Sequence, residues 1–353
     1  MTTSLNKKSV IPQELEITSR GPLVLLFYDG FERQVSTGLV GSLASESRRI
    51  LRYAKRSLCR QQVRTGFYTA FLGLVNSLKL VGCDVRVNNF AAAASRPNYP
   101  IGVAGYPSII NKIELPNPRI FGPGDFGTPS ASVAVADDPR FKVLIQPSDW
   151  FSEMYRPFCG DKMLTWFAGI DTKNWPDFSN EPKDCDYIVY DKIRWHRAEQ
   201  VPAVLDRITK HLDVTGRSYK VLRYGNHHHS EFLKALKHSK ALIFVCEHET
   251  QGLAYQEALS TNVPVLAWDE GKMIDPTLQQ YVTSDVHVSS VPYFSQECGK
   301  TFKIADFEKV CDAFWQELPQ FKPRKYVENN LSLELSAKQY LEAYARIIKN
   351  MSL

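Results

Sequence analysis

Ala241-Leu-Ile-Phe-Val-Cys246, the loop Glu247-His-Glu-Thr-Gln251 and Gly252-Leu-Ala-Tyr-Gln-Glu257 follow one another directly, and Thr261-Asn-Val-Pro-Val-Leu-Ala-Trp268 comes soon after. The first stretch is an unbroken run of β-branched, aromatic and aliphatic residues, the pattern of a strand buried on both faces of a parallel sheet. A helix is expected from about Gly252. The last stretch is a turn feeding another buried strand. The N–H groups and positive dipole end of the expected helix face the carboxyl edge of the sheet, where diphosphates bind in open α/β folds. Glu249 lies in the loop before the helix and Glu257 more than one turn inside it, so the two carboxylates straddle a diphosphate bound at the helix start. Carboxylates accept hydrogen bonds from paired hydroxyls, which ribose and hexoses both offer.

Working outward, Tyr187-Ile-Val-Tyr190 reads as a further strand, and Asp191-Lys-Ile-Arg-Trp-His-Arg197 after it places cations at the same sheet edge. This order of parts resembles the retaining glycosyltransferases of the GT-B fold, the group (family 4 type) that includes glycogen and sucrose synthases. The resemblance implies an α/β chain of two Rossmann-like domains whose parallel sheets face a central cleft. It also implies residue roles. Glu249 contacts the donor sugar, Gly252 and Leu253 hold the phosphates with Thr250 and Gln251 in the same loop, and Glu257 holds the ribose. Lys192 and Arg197 keep the family's spacing for two diphosphate-binding cations, with Arg and Lys exchanged, and Arg194 competes for that role. Cations there stabilise the charge that builds on a departing diphosphate.

Toward the N-terminus, Leu23-Val-Leu-Leu-Phe-Tyr28 reads as a first strand, Gly66 to Gly82 as a helix and Cys83 to Asn88 as a second strand. By the same resemblance Gly66 approaches the donor phosphates. Gly122-Pro-Gly-Asp-Phe-Gly127 matches a dinucleotide fingerprint in letters only, since prolines bracket it and no helical pattern follows. It reads as a loop facing the cleft, with Asp125 a candidate catalytic group where relatives carry a histidine. His227-His-His229 precedes a helix expected to be capped by Ser230 and lacks metal-ligand spacing. No metal site and no cofactor is expected.

The chain of 353 residues suits two domains. They are read as 1–172, with the terminal helix 336–353 crossing back onto it, and 173–335. Seven scattered cysteines without a Cys-x-x-Cys pair fit reduced thiols. A net charge of +5 is too small and too local for a nucleic-acid partner. The opening residues lack a signal-peptide core, and no stretch has the apolar length of a span, so a cytoplasmic location is expected. Arg48 to Arg60 reads as a basic amphipathic helix, and the segment 48–64 as a peripheral contact with the inner face of a membrane.

The expected activity is transfer of a hexosyl unit from a nucleotide-diphosphate sugar to an acceptor hydroxyl on a glycan, a lipid-linked saccharide or a small molecule. The alternatives are another GT-B enzyme, such as a sugar-nucleotide epimerase or phosphorylase, and a non-catalytic GT-B scaffold.

Overall fold

The computed structural model describes residues 10–33, 35, 47, 50, 51 and 65–351. Apart from Ile50 and Leu51, the segment 48–64 lies outside them. The chain forms two compact units, one of residues 1–55, 63–169 and 331–353, the other of 56–62 and 170–330.

The strands and helices of unit 1 are β1 (Ile17–Thr18), β2 (Gly21–Asp29), α1 (Gly66–Leu80), β3 (Asp84–Val87), α2 (Phe90–Ala94), β4 (Ile101–Gly105), α3 (Ile109–Lys112), β5 (Arg119–Gly124), α4 (Val133–Asp137), β6 (Phe141–Gln146), α5 (Asp149–Cys159) and β7 (Met163–Thr165). Those of unit 2 are β8 (Cys185–Asp191), α6 (Arg197–Gln200), α7 (Asp206–Val214), β9 (Tyr219–Arg223), α8 (His229–His238), β10 (Ser239–Val245), α9 (Leu253–Ser260), β11 (Val265–Trp268), β12 (Gly299–Phe302), α10 (Phe307–Glu317) and α11 (Pro323–Asn330). The terminal helix α12 (Leu333–Met351) belongs to unit 1.

In unit 1, β2 pairs in parallel with β3 on one side and β4 on the other, and the sheet continues through β5 and β6 to β7. Leu23 to Tyr28 are all buried, as a strand covered on both faces requires. Helix α12 packs along α1. Tyr344 fixes it by donating to the Pro100 carbonyl and accepting from the Leu25 amide at 3.2 Å. Ser336 adds a bond to the Phe167 carbonyl at 2.9 Å, and the Trp166 indole donates to the Ser336 carbonyl at 2.9 Å.

The sheet of unit 2 is parallel throughout, in the order β12-β11-β10-β8-β9. Counted from its own first strand this is the doubly wound order 2-1-3-4-5, in which successive connections diverge between the first and third strands. Here those strands are β8 and β10, in register with Asp191 opposite Val245. Leu242, Ile243, Phe244 and Val245 are completely buried, so the run that reads as a two-sided strand is one.

Two local departures from pattern have plain causes. The helical stretch after β8 is interrupted by a π turn, Val201–Leu205, because Pro202 has no N–H to continue the α ladder. The helix expected to be capped by Ser230 is capped two residues earlier, beginning at His229 with His228 in the N-cap position and no side-chain cap. Among the described residues no helix is long and apolar enough to cross a membrane.

Candidate functional site

Because β8 and β10 run side by side, the residues that leave them emerge together at the carboxyl edge. Lys192 follows β8 directly and its amide donates to the Val245 carbonyl at 2.8 Å, the last rung of the ladder. Glu249, four residues beyond the end of β10, turns its carboxylate onto the Lys192 ammonium in an ion pair whose side chains are 11% and 8% exposed. The Cys246 thiol donates to the same carboxylate oxygen at 3.3 Å. The face of Tyr224, the residue after β9, lies 4.5 Å from the Lys192 ammonium.

Burial is the largest influence on both members of the pair and opposes both charges. Their mutual attraction overcomes it. Lys192, with Arg194 behind it, holds the Glu249 carboxyl below the usual carboxylate range, and Glu249 holds Lys192 above the usual lysine range. The site is therefore ionised, poorly hydrated and fixed by its strand ends, conditions under which a charge acts most strongly on a neighbour.

A second layer sets the loops. Glu247 accepts from the backbone amides of Arg194 and Trp195 at 2.9 and 3.0 Å, so its carboxylate ties the β8 and β10 loops together. The Arg194 guanidinium donates to the His248 carbonyl and covers the Trp195 ring at 4.2 Å. His248 also stacks on Trp195, ring centroids 4.6 Å apart. Burial, then Arg194, lowers its imidazole to a pKa of about 4, which keeps it neutral at pH 7.

Gly252 occupies the N-cap of α9 in the left-handed region, φ +81°, and a Cβ there would lie 2.2 Å from the Tyr255 ring. Only glycine fits both conditions. No side chain caps the helix, and the amides of its first turn have no intrahelical acceptor. Gln251 is buried and exchanges an amide bond with Gln256 at 3.0 Å, which fixes the loop, while Thr250 is exposed. Glu257 is partly buried on the next turn of α9, within electrostatic reach of Lys192 and Tyr190. Burial pushes its carboxyl up to about 8 against the pull of Lys192.

The expected residues thus divide. Lys192, Arg194 and Glu249 act on one another, with Gly252, Leu253 and Glu257 on the adjoining helix. Arg197 is committed elsewhere in this structure. Its guanidinium grips buried Asp191 in two bonds of 2.9 and 2.8 Å and the Ile193 carbonyl in a third at 2.8 Å. In unit 1, Gly66 opens α1 with empty space where a Cβ would be, under a cap from Thr65. Asp125 follows β5 and its Oδ1 accepts from the Gly127 amide at 2.6 Å, a side-chain turn of the kind that closes loops.

Four contributors escape the sequence reading: Asp191, Tyr224, Cys246 and Glu247. For three the signal was position. Asp191 ends β8, Cys246 follows β10, and Tyr224 follows β9, all at the carboxyl edge where α/β sheets bind ligands.

No family model and no curated protein sequence matches the chain. Solved structures do match its fold. AviGT4, a glycosyltransferase involved in avilamycin A biosynthesis, is similar over 93% of this chain and 98% of its own, with 12% identity and a TM-score of 0.52. A glycosyltransferase from Rickettsia africae ESF-5 is similar over 93% of this chain and 99% of its own, with 12% identity and a TM-score of 0.50. The chain has the mixed α/β, parallel-sheet fold of the GT-B structures. At this identity the likeness is one of fold.

Proposed function

We propose that the chain is a retaining glycosyltransferase that takes a hexosyl unit from a nucleotide-diphosphate sugar to an acceptor hydroxyl. One observation carries the reading. A buried Lys192–Glu249 pair stands at the switch point of the unit 2 sheet, beside a helix opened by a left-handed, uncapped glycine. Switch points are where open α/β sheets bind nucleotides, and uncapped helix starts bind phosphate.

In this reading the diphosphate docks on the Gly252 and Leu253 amides, flanked by Thr250 and Gln251. Lys192 and Arg194 neutralise it, and Arg197 joins them only by releasing Asp191. As the glycosidic bond breaks, negative charge grows on the leaving phosphate, so these cations favour the transition state over the ground state. Glu249 accepts from sugar hydroxyls and balances the positive charge of an oxocarbenium-like centre. Glu257 receives the ribose hydroxyls. The leaving phosphate takes up the acceptor proton on the same face, which retains configuration. The residues carry the chemistry of phosphate neutralisation themselves, so no metal is invoked. From unit 1, Gly66 is kept as a donor-phosphate glycine and Asp125 as a catalytic candidate. A membrane-bound acceptor, reached through 48–64, remains part of the proposal.

A thermal-shift series with UDP, GDP, ADP and their sugars tests this directly, since a ligand of the folded state raises its melting temperature. The expected result is one diphosphate that stabilises the wild type, less so Glu257→Ala. Glu249→Ala should lose turnover more than nucleotide affinity. No shift with any nucleotide rejects the reading, and product analysis with and without acceptor separates transfer from epimerisation.

A further inference from the structure

Unit 1 has its own switch point. The chain runs from β2 outward to β3, then returns to the opposite side of β2 as β4 and continues to β5. The crevice between the ends of β2 and β4 is therefore the ligand position of this second sheet.

What lines it differs from the charged corner of unit 2. Among the described residues three aromatic side chains stand out as exposed, Phe67, Tyr106 and Tyr224, each 38% accessible. Tyr106 and Tyr224 each directly follow the carboxyl end of a strand, and Phe67 is the second residue of α1. Tyr224 is covered by the Lys192 cation, as described above. Phe67 and Tyr106 pair with each other at the unit 1 switch point, ring centroids 6.4 Å apart and planes at 74°.

The pair is held in place from below. Tyr106 follows β4, and its amide donates to the Asp29 carbonyl at the end of β2 at 2.9 Å. Gly105 before it has φ +106°, and a Cβ there would lie 2.0 Å from that same carbonyl oxygen, so the two strand ends meet as closely as backbone permits. Asp29, buried, also accepts from Ser108 at 3.2 Å and from the Lys112 ammonium. Phe67 stands on the first turn of α1, whose cap Thr65 donates its amide to Glu32 at 2.5 Å. Asp29, Glu32 and Lys112 are thus used in scaffold bonds, and the two rings are left exposed. Two apolar rings kept in water at a ligand position cost solvation energy that a ligand face would recover.

One polar group completes the crevice. Asp125 follows the neighbouring strand β5, its amide on the Gly105 carbonyl at 3.0 Å. Its Oδ1 serves the loop, and its Oδ2 carries no bond among the described residues.

We infer that Phe67 and Tyr106 are a stacking platform for a neutral pyranose ring, with Asp125 Oδ2 accepting from the hydroxyls at its rim. A pyranose matches this set because one face is C–H and its edge is hydroxyl. An acyl chain offers nothing to Asp125, and an anionic group is repelled by it. The identity of this sugar as the acceptor rests on the transferase reading. The binding site itself does not.

Saturation-transfer NMR on the full chain tests it, using methyl α-D-glucopyranoside, methyl α-D-mannopyranoside, methyl β-D-galactopyranoside and maltotriose, with UDP in a parallel sample. At least one sugar should receive saturation at its C–H protons. The signal should fall at least fivefold in Phe67→Leu and Tyr106→Ala, hold in Tyr106→Phe, and fall at least twofold in Asp125→Asn. Phe67→Leu keeps apolar bulk without a ring, so a loss there with an unchanged melting temperature reports stacking rather than folding. Silence with all four sugars, or a signal unchanged in the Phe67→Leu/Tyr106→Ala double variant, overturns the platform. UDP bound with sugars silent sinks this inference alone, whereas sugars bound with every nucleotide silent sinks the donor reading and leaves the platform standing.

Discussion

Between β8 and β10 the residues that leave the sheet are Lys192 and Glu249, buried and paired, whereas between β2 and β4 they are Tyr106 and, on the following helix, Phe67, exposed and uncharged. The strand topology at the two places is alike. What differs is how the charges are employed. In unit 1 the buried carboxylate Asp29 is taken up by Ser108, Lys112 and the Val35 amide, so charge is consumed in holding loops. In unit 2 Asp191 plays that scaffolding part with Arg197, and a second carboxylate with its own cation remains for other work. A low-dielectric ion pair suits a reaction that develops charge, and open rings suit recognition of an uncharged ring.

The sharpest way to break this contrast is to remove one charge from unit 2. Lys192→Ala removes the paired cation from buried Glu249, which should cost about 3–5 kcal/mol of stability in urea unfolding. Turnover of the sugar nucleotide should drop on the order of 10²–10³-fold, the usual cost of a lost transition-state contact. Lys192→Met with Glu249→Leu should regain most of the stability and none of the turnover. A double variant as unstable as the single one would show that the pair is not the source of the loss.

Three glycines sharpen the comparison next. Gly252→Ala meets both a left-handed φ and the Tyr255 ring, and Gly105→Ala meets a backbone carbonyl that cannot turn aside. Each should lose roughly 1–3 kcal/mol in a thermal melt, Gly105→Ala at the upper end. Gly66→Ala has open space around it and should stay within about 0.5 kcal/mol of wild type. If nucleotide affinity nevertheless falls in Gly66→Ala, the space beside it is ligand space.

How much of this was legible in the chain can be read from the same residues. The apolar run 241–246 named its strand because a strand buried on both faces has no alternation to hide. Gly252 announced its helix start because only glycine fits there. Lys192 and Glu249 could be placed at one edge, since parallel strands send their following residues the same way. Their mutual pairing, and the diversion of Arg197 to Asp191, could not, because side-chain partners depend on loop paths that no periodicity encodes. The Phe67–Tyr106 pair was hidden for the same reason: its members are 39 positions apart and meet only when β2 and β4 become neighbours. Ser230 missed its cap by two residues, within the range over which helix ends are weakly determined.

Glu257 offers a smaller effect with a fixed sign. Its folded-state pKa, about 8, lies above the ordinary value of 4.5, so the native state holds a proton that the unfolded chain releases between these limits. Stability from this group is complete below pH 4.5 and declines as pH rises toward 8. Glu257→Gln should flatten that decline, so the difference between variant and wild type in urea unfolding grows from pH 5 to pH 8 in favour of Gln. A difference that is constant with pH would mean the carboxyl is hydrated and ordinary.

The smallest change tests whether Tyr224 belongs to the charged corner or is a unit 2 counterpart of Tyr106. Its ring faces the Lys192 ammonium, and it is 38% exposed, so the contact is worth about 0.5–1 kcal/mol. Tyr224→Leu should lose that much stability and Tyr224→Phe almost none, because the ring face and not the hydroxyl meets the cation. The loss should vanish in a Lys192→Met background, where no cation remains to be held, and a double-mutant cycle measures that coupling. A full loss persisting without Lys192 would place Tyr224 with Phe67 and Tyr106, as a ring kept for a ligand rather than for a neighbouring charge.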